Sequence, residues 1–91
     1  MSSYFYCRWR HDDANEPVDL YSEIDDSRYE TRKVYVWADG RRAYADEQEA
    51  VGDTQLGDQV VPPLNEINGD PQFEAREMTK QEFEEIWSKR K

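Results

Sequence analysis

Cysteine, histidine and long apolar runs are scarce in this chain, basic residues are outnumbered by acidic ones, and each of these features excludes something. The one cysteine, Cys7, cannot close an internal disulfide. Together with the one histidine, His11, it falls short of the set of Cys and His ligands that a structural zinc site requires. No stretch approaches the run of about 18 apolar residues needed to span a membrane. The opening "MSSYFYCRWR" lacks the apolar centre of a secretory signal. A cytoplasmic protein without a membrane partner is expected. Lys and Arg number 12 against 21 Asp and Glu, a formal net charge of −9. Such a chain repels phosphate backbones, so direct nucleic-acid binding is disfavoured and a protein partner with a basic surface is favoured. No internal repeat or Gly/Ser linker is visible, and residues 1–91 are read as a single domain.

What the chain does have is aromatic mass and unevenly placed acid. Three Trp, six Tyr and three Phe can each bury about 150–250 Å². A small core from Phe5, Trp9, Leu20, Ile24, Val34, Val36, Phe83, Ile86 and Trp87 is therefore within reach. Residues 12–30 carry eight carboxylates against one Arg, and residues 43–58 carry five against none.

The periodicity changes along the chain. "YFYCRWR" alternates as a strand with Phe5, Cys7 and Trp9 on one face. "VDLYSEI" alternates again, with Val18, Leu20 and Ile24 together, and "DDSR" reads as a turn. Asp39-Gly40 between β-rich flanks predicts a two-residue hairpin turn. Counting outward from that turn pairs Val36 with Ala43 and Tyr35 with Tyr44. Val34, Val36, Ala43 and Ala45 then form an aliphatic face, opposite an aromatic and basic face of Tyr35, Trp37, Arg42 and Tyr44. Residues 47–71 read as a long loop with one helical turn at 63–67, and loops of that length tend to cover or bind something. "QFEARE" reads as a last edge strand. In "TKQEFEEIWSKRK", Thr79 and Glu82 make a capping box, while Phe83, Ile86 and Trp87 form one apolar stripe. The expected fold is α+β: an antiparallel sheet of about four strands with the C-terminal helix packed on its aliphatic face.

The run "WRHDDANEPVDLYSEIDDSRYETRKVYVWADG", with "GDTQLGD", "PPLNEINGDPQF" and "EFEEIW", resembles a family of small bacterial domains of unknown function common in actinobacteria. The shared pattern is W-x-H-D, E-P-x-x-L-Y-S-E-I-D, R-Y-E-x-R-K-V, D-G-R and P-P-L-x-E-I-N, and it covers nearly the whole chain. The resemblance implies a stand-alone bacterial cytoplasmic domain. It implies no activity, and Cys7 lies outside the pattern.

Several residues are candidates for chemistry or recognition. His11 beside Asp12 and Asp13 has the makings of an acid–base pair, but no nucleophile or phosphate loop accompanies it. The bland alternative is a strand-end histidine whose ring orders the loop. Cys7, mid-strand beside Phe5 and Trp9, reads as a buried and inert thiol. Arg28 and Arg32 either form cross-strand ion pairs with Glu23 and Glu30 or hold an anion. The aromatic set Tyr35, Trp37, Arg42 and Tyr44 reads as a binding face, unless the 47–71 loop with Val60, Val61, Leu64 and Ile67 folds over it. Asp12, Asp13 and Glu16 extend the recognition surface with acid. The preferred expectation is a non-enzymatic, acidic interaction module of a bacterial cytoplasm, without cofactor or metal. Its specific version is an immunity or inhibitor protein that masks a basic site on a toxin such as a nuclease. Two other classes stay open: a small enzyme or ligand-binding domain using His11 and Asp12, and a nucleic-acid mimic. The oligomeric state is left open, because free edge strands can pair.

Overall fold

Alternating apolar residues build the first three strands where the period-two reading places them. In the computed structural model, which describes residues 2–52 and 54–90, β1 runs Ser3–Trp9, β2 Asp19–Ile24 and β3 Glu30–Val36. Strands β4 (Arg42–Ala45) and β5 (Ala50–Val51) continue the meander. A short helix α1 (Leu64–Ile67), strand β6 (Phe73–Met78) and helix α2 (Lys80–Ser88) complete the order. Asp53 of the second acidic stretch and Lys91 of the basic tail lie outside the described residues.

The sheet has six strands rather than about four, ordered β5-β4-β3-β2-β1-β6, with every neighbouring pair antiparallel. Of the strands beyond β1–β4, β6 is the edge strand expected at "QFEARE" and only β5 is new. Strand β5 has only two residues, too few for a period to show. Strand β6 returns to the free edge of β1, pairing Tyr4 with Met78 and Trp9 with Phe73. Its outer edge is blunted by Asn68, whose side-chain amide donates to the Ala75 carbonyl (2.9 Å) and accepts from the Ala75 N–H (2.6 Å). One side chain there supplies both bonds that a further strand would make.

The β3–β4 hairpin departs from the expected register. Tyr35 pairs with Ala43 and Val34 with Tyr44. The Gly40 N–H donates to the Trp37 carbonyl (3.0 Å), the Trp37 N–H donates to the Arg41 carbonyl (2.9 Å), and Gly40 has φ 91°. Ala38-Asp39-Gly40 is thus a three-residue loop, a turn followed by a left-handed glycine, and not a two-residue turn. One extra loop residue turns every β4 side chain to the other face. Tyr44 and Arg42 join Val34 and Val36, while Ala43 and Ala45 join Tyr35. The expected aromatic face of Tyr35, Trp37, Arg42 and Tyr44 therefore does not exist as one surface.

Helix α2 starts at the expected capping box. The Thr79 hydroxyl accepts from the Glu82 N–H (3.1 Å) and the Glu82 carboxylate accepts from the Thr79 N–H (2.8 Å). The helix meets Tyr4, Arg32 and Tyr44, on the face that also carries Val34 and Val36. The Phe83 ring, fully buried, lies 5.3 Å from Tyr4, and Trp87 meets Tyr44 edge-on at 6.0 Å. The Arg32 guanidinium sits over both Phe83 (4.9 Å) and Trp87 (5.2 Å) and bonds Glu23 of β2 and Glu84 of α2. On the opposite face, Phe5, Cys7, Ile24 and Ala75 form a core joined by Leu20, Val61, Leu64, Ile67 and Phe73.

Candidate functional site

Residues 54–63 are too rich in Gly, Pro and polar side chains to make a strand or helix, and they cross that second face as an arch held by side-chain anchors. The anchors come from the turn after β2. Asp25 caps the Ser27 and Tyr29 N–H groups (2.9 and 3.0 Å), and Arg28 adopts a left-handed φ of 68°. From there Arg28 donates through Nε to the Val61 carbonyl and through Nη2 to the Pro62 carbonyl, both at 2.7 Å. The Arg28 carbonyl accepts from the Val61 N–H at 2.7 Å. A second anchor is Glu30, which accepts from the Gly57 N–H (2.7 Å) and pairs with the buried Lys33 ammonium (3.2 Å). Arg28 thus holds the loop, and Arg32 holds the helix. Neither guanidinium forms the anion pocket that the sequence left open.

Beneath the arch remains a cleft of 420 Å³. Phe5, Cys7, Leu20 and Tyr35 contribute its sheet side, and Val60, Val61, Pro62 and Ile67 its loop side. Glu66 and Asp70 also line it. A second compartment of 350 Å³ adjoins it, sharing Leu20 and Tyr35 and adding Trp9, Asn15, Glu16, Pro17 and Trp37. Among the described residues no Lys or Arg lines either space. Apolar walls, several aromatic rings and the carboxylates of Glu16, Glu66 and Asp70 occur together here, on the surface that the loop covers only in part.

The sequence candidates distribute themselves unequally around this site. Tyr35 and Trp37 belong to it. Trp37 is buried, and its indole N–H donates to the Asn15 carbonyl at 3.1 Å. Arg42 and Tyr44 lie across the sheet, where Arg42 donates to the Lys89 carbonyl and both line a separate 660 Å³ depression with Arg90. Glu16 lines the second compartment, whereas Asp12 is exposed in the loop before it. Asp13 accepts from the Asn15 N–H at 2.9 Å and so shapes the same loop.

His11 has both ring nitrogens engaged by backbone. Nδ1 accepts from the Asp13 N–H (3.0 Å), which leaves Nε2 as the protonated nitrogen, donating to the Pro17 carbonyl (2.8 Å). Its ring packs edge-on against Trp9 at 4.5 Å. The histidine therefore fixes the path of residues 11–17 and packs against Trp9, which lines the aromatic compartment. Burial pushes the Cys7 thiol up, away from the thiolate form. Tyr6, on the helix face, donates to Asp19 at 2.5 Å, and burial together with that bond pushes its hydroxyl to about 12. Among the described residues no group of three or more His, Cys, Asp and Glu is placed to hold a metal ion. No described helix is long and apolar enough to cross a membrane.

At the sequence level the cleft showed only as the alternative in which the 47–71 loop folds over the face of Tyr35 and Trp37. Its loop wall was visible as Val60, Val61 and Ile67, but the anchor that makes it a wall is a left-handed arginine, which no residue pattern announces. Neither the curated proteins nor the solved structures contain a match to this chain. Residues 3–91 do match the family described as "Domain of unknown function (DUF6881)", so the chain belongs to that family.

Proposed function

We propose that the protein is a protein-interaction module that takes an apolar, positively charged segment of a basic partner into the cleft between the arch and the sheet. The single observation that carries this reading is the lining. The walls of the cleft are largely apolar, the carboxylates of Glu16, Glu66 and Asp70 flank it, a fourth, Glu30, is paired with Lys33, and no Lys or Arg among the described residues lines it. Apolar anchors in such a cleft supply affinity. The surrounding acid, part of a net charge of −9, steers a basic partner and selects against acidic ones. The specific version is an immunity or inhibitor protein of a bacterial cytoplasm, occupying a cationic functional site on a toxin such as a nuclease.

The test is a titration of the ¹⁵N-labelled protein with three peptides of equal length. One alternates Lys with Leu or Phe, one keeps the Lys but replaces the anchors by Ser, and one keeps the anchors but carries Glu. The expected result is saturable binding of the first peptide alone, weakening with salt, with shifts at Leu20, Tyr35, Val61 and Ile67. Equal binding of the Glu peptide, or shifts confined to the helix face, would count against the reading. The inhibitor version is tested by co-expression with the product of an adjoining gene: restored growth supports it, and failure to form a complex counts against it.

A further inference from the structure

The second compartment has a composition of its own. Trp9, Tyr35 and Trp37 line it together with Glu16, Asn15, Pro17 and Leu20. Three aromatic rings and one carboxylate around a 350 Å³ space suit an alkylammonium group: the ring quadrupoles attract a cation, and the carboxylate balances its charge. From the aromatic rings and the adjoining cleft we infer that this compartment is a cage for the ammonium head of a lysine-like side chain, with N-methylated forms preferred. The inference rests on the preceding reading and deepens it, since the shared wall of Leu20 and Tyr35 lets one bound segment place an apolar anchor in the cleft and a cation in the cage.

Two features favour methylated ammonium over a bare one. An unmodified ammonium needs three hydrogen-bond acceptors, and the side-chain acceptors of this lining are Glu16, Asn15 and the Tyr35 hydroxyl, against two indoles, a proline and a leucine that offer none. Methyl groups instead make apolar contact with the rings. The rings also act as cation platforms elsewhere: Lys33 lies over Tyr35 at 4.8 Å and Arg41 over Trp37 at 4.6 Å. Neither cation lines the compartment, and Lys33 is already paired with Glu30.

The test uses the full chain and two isosteric probes, choline and the neutral 3,3-dimethylbutanol, followed by the indole N–H signals of Trp9 and Trp37 and by tryptophan fluorescence. Choline is expected to bind saturably, with the neutral probe at least about tenfold weaker. Glu16→Gln, an exposed position, should weaken choline severalfold without changing the melting temperature, and Tyr35→Leu should remove binding. Peptides carrying lysine or trimethyllysine then separate the two cationic forms, with the trimethylated peptide expected to bind more tightly. Equal binding of the two small probes, no saturable choline binding, or preference for the unmodified peptide would overturn the cage. If the Lys/Leu peptide still shifts the cleft while the indole signals stay fixed, the cage fails and the interaction reading survives. If choline binds but no peptide enters the cleft, the cage stands and the interaction reading fails.

Discussion

Replacing Arg32 by Met should be among the most damaging single changes outside the apolar core. Arg32 gives Glu23 two hydrogen bonds, at 2.9 and 2.6 Å, and Glu84 two more at 2.9 Å. The side chains of Arg32 and Glu23 are only 19 % and 11 % exposed, against 40 % for Glu84. Removing one partner of a buried ion pair costs about 3–5 kcal/mol, because the other charge stays buried. Glu23 retains the Thr31 hydroxyl at 2.7 Å. The solvated Glu84 contact adds at most about 0.5 kcal/mol after screening. The lower end, about 3 kcal/mol, is therefore expected. For a domain of this size that lowers the melting temperature by at least about 12 °C. Urea denaturation of Arg32→Met should show it as a lower midpoint at unchanged slope. Adding Glu23→Gln to Arg32→Met should recover at least about 1 kcal/mol by removing the stranded charge. The pH dependence has a defined sign. Arg32 holds the Glu23 and Glu84 carboxyls below their ordinary value of 4.5. Between the folded and unfolded values the unfolded chain binds more protons, so stability rises with pH there. The contribution is complete above the unfolded value and is lost as pH falls through the folded values; in Arg32→Met this acid limb should flatten. A loss under about 1 kcal/mol, or no recovery in the double variant, would refute the assignment of Arg32 as the helix-to-sheet clasp.

Two further changes test the arch and the sheet edge. Arg28→Ala and Arg28→Gly both remove the guanidinium bonds to the Val61 and Pro62 carbonyls, leaving only the backbone bond from the Val61 N–H, so hydrogen exchange across 57–62 should accelerate in both. Glycine relieves the left-handed backbone, so Arg28→Gly should be more stable than Arg28→Ala by about 1 kcal/mol, and the opposite order would show that φ carries no cost here. Asn68→Ala strips the outward-facing Ala75 groups of both partners, which should cost about 1–3 kcal/mol and raise self-association measured by light scattering at matched concentration. Unchanged stability and mass would remove Asn68 from its edge role.

Local periodicity carried much of the architecture. The alternation of Phe5, Cys7 and Trp9, the pairing of Leu20 with Ile24 in the core, the turn at Asp39-Gly40 and the Thr79–Glu82 cap are all readable from residue types alone. What failed was the loop length at one hairpin. Asp-Gly suits both a two-residue turn and the last two residues of a three-residue one, and that single residue decides whether Tyr44 faces Tyr35 or Trp87. The candidate site was legible as ingredients: Tyr35, Trp37, Glu16 and the valines of the long loop. Their convergence was not, because it depends on Arg28 reaching 33 residues ahead to Val61 and on Lys33 burying its charge beside Glu30. Such long-range polar anchors leave no period in the chain.

The position of β1 also sets the order in which the molecule can be assembled. Its neighbours are β2, which follows at once, and β6, whose last residue is Met78. During synthesis the β1–β4 meander can zip from successive hairpins, while the second edge of β1 waits for residues 73–78. Phe5 and Cys7 then lack part of their cover, and α2, directly behind β6, arrives at the same moment as the missing strand. The C-terminal unit thus completes one sheet edge and covers the helix face in one late step. A nascent or truncated chain ending before residue 73 would present a bare, apolar-lined strand edge to any neighbouring copy on the ribosome.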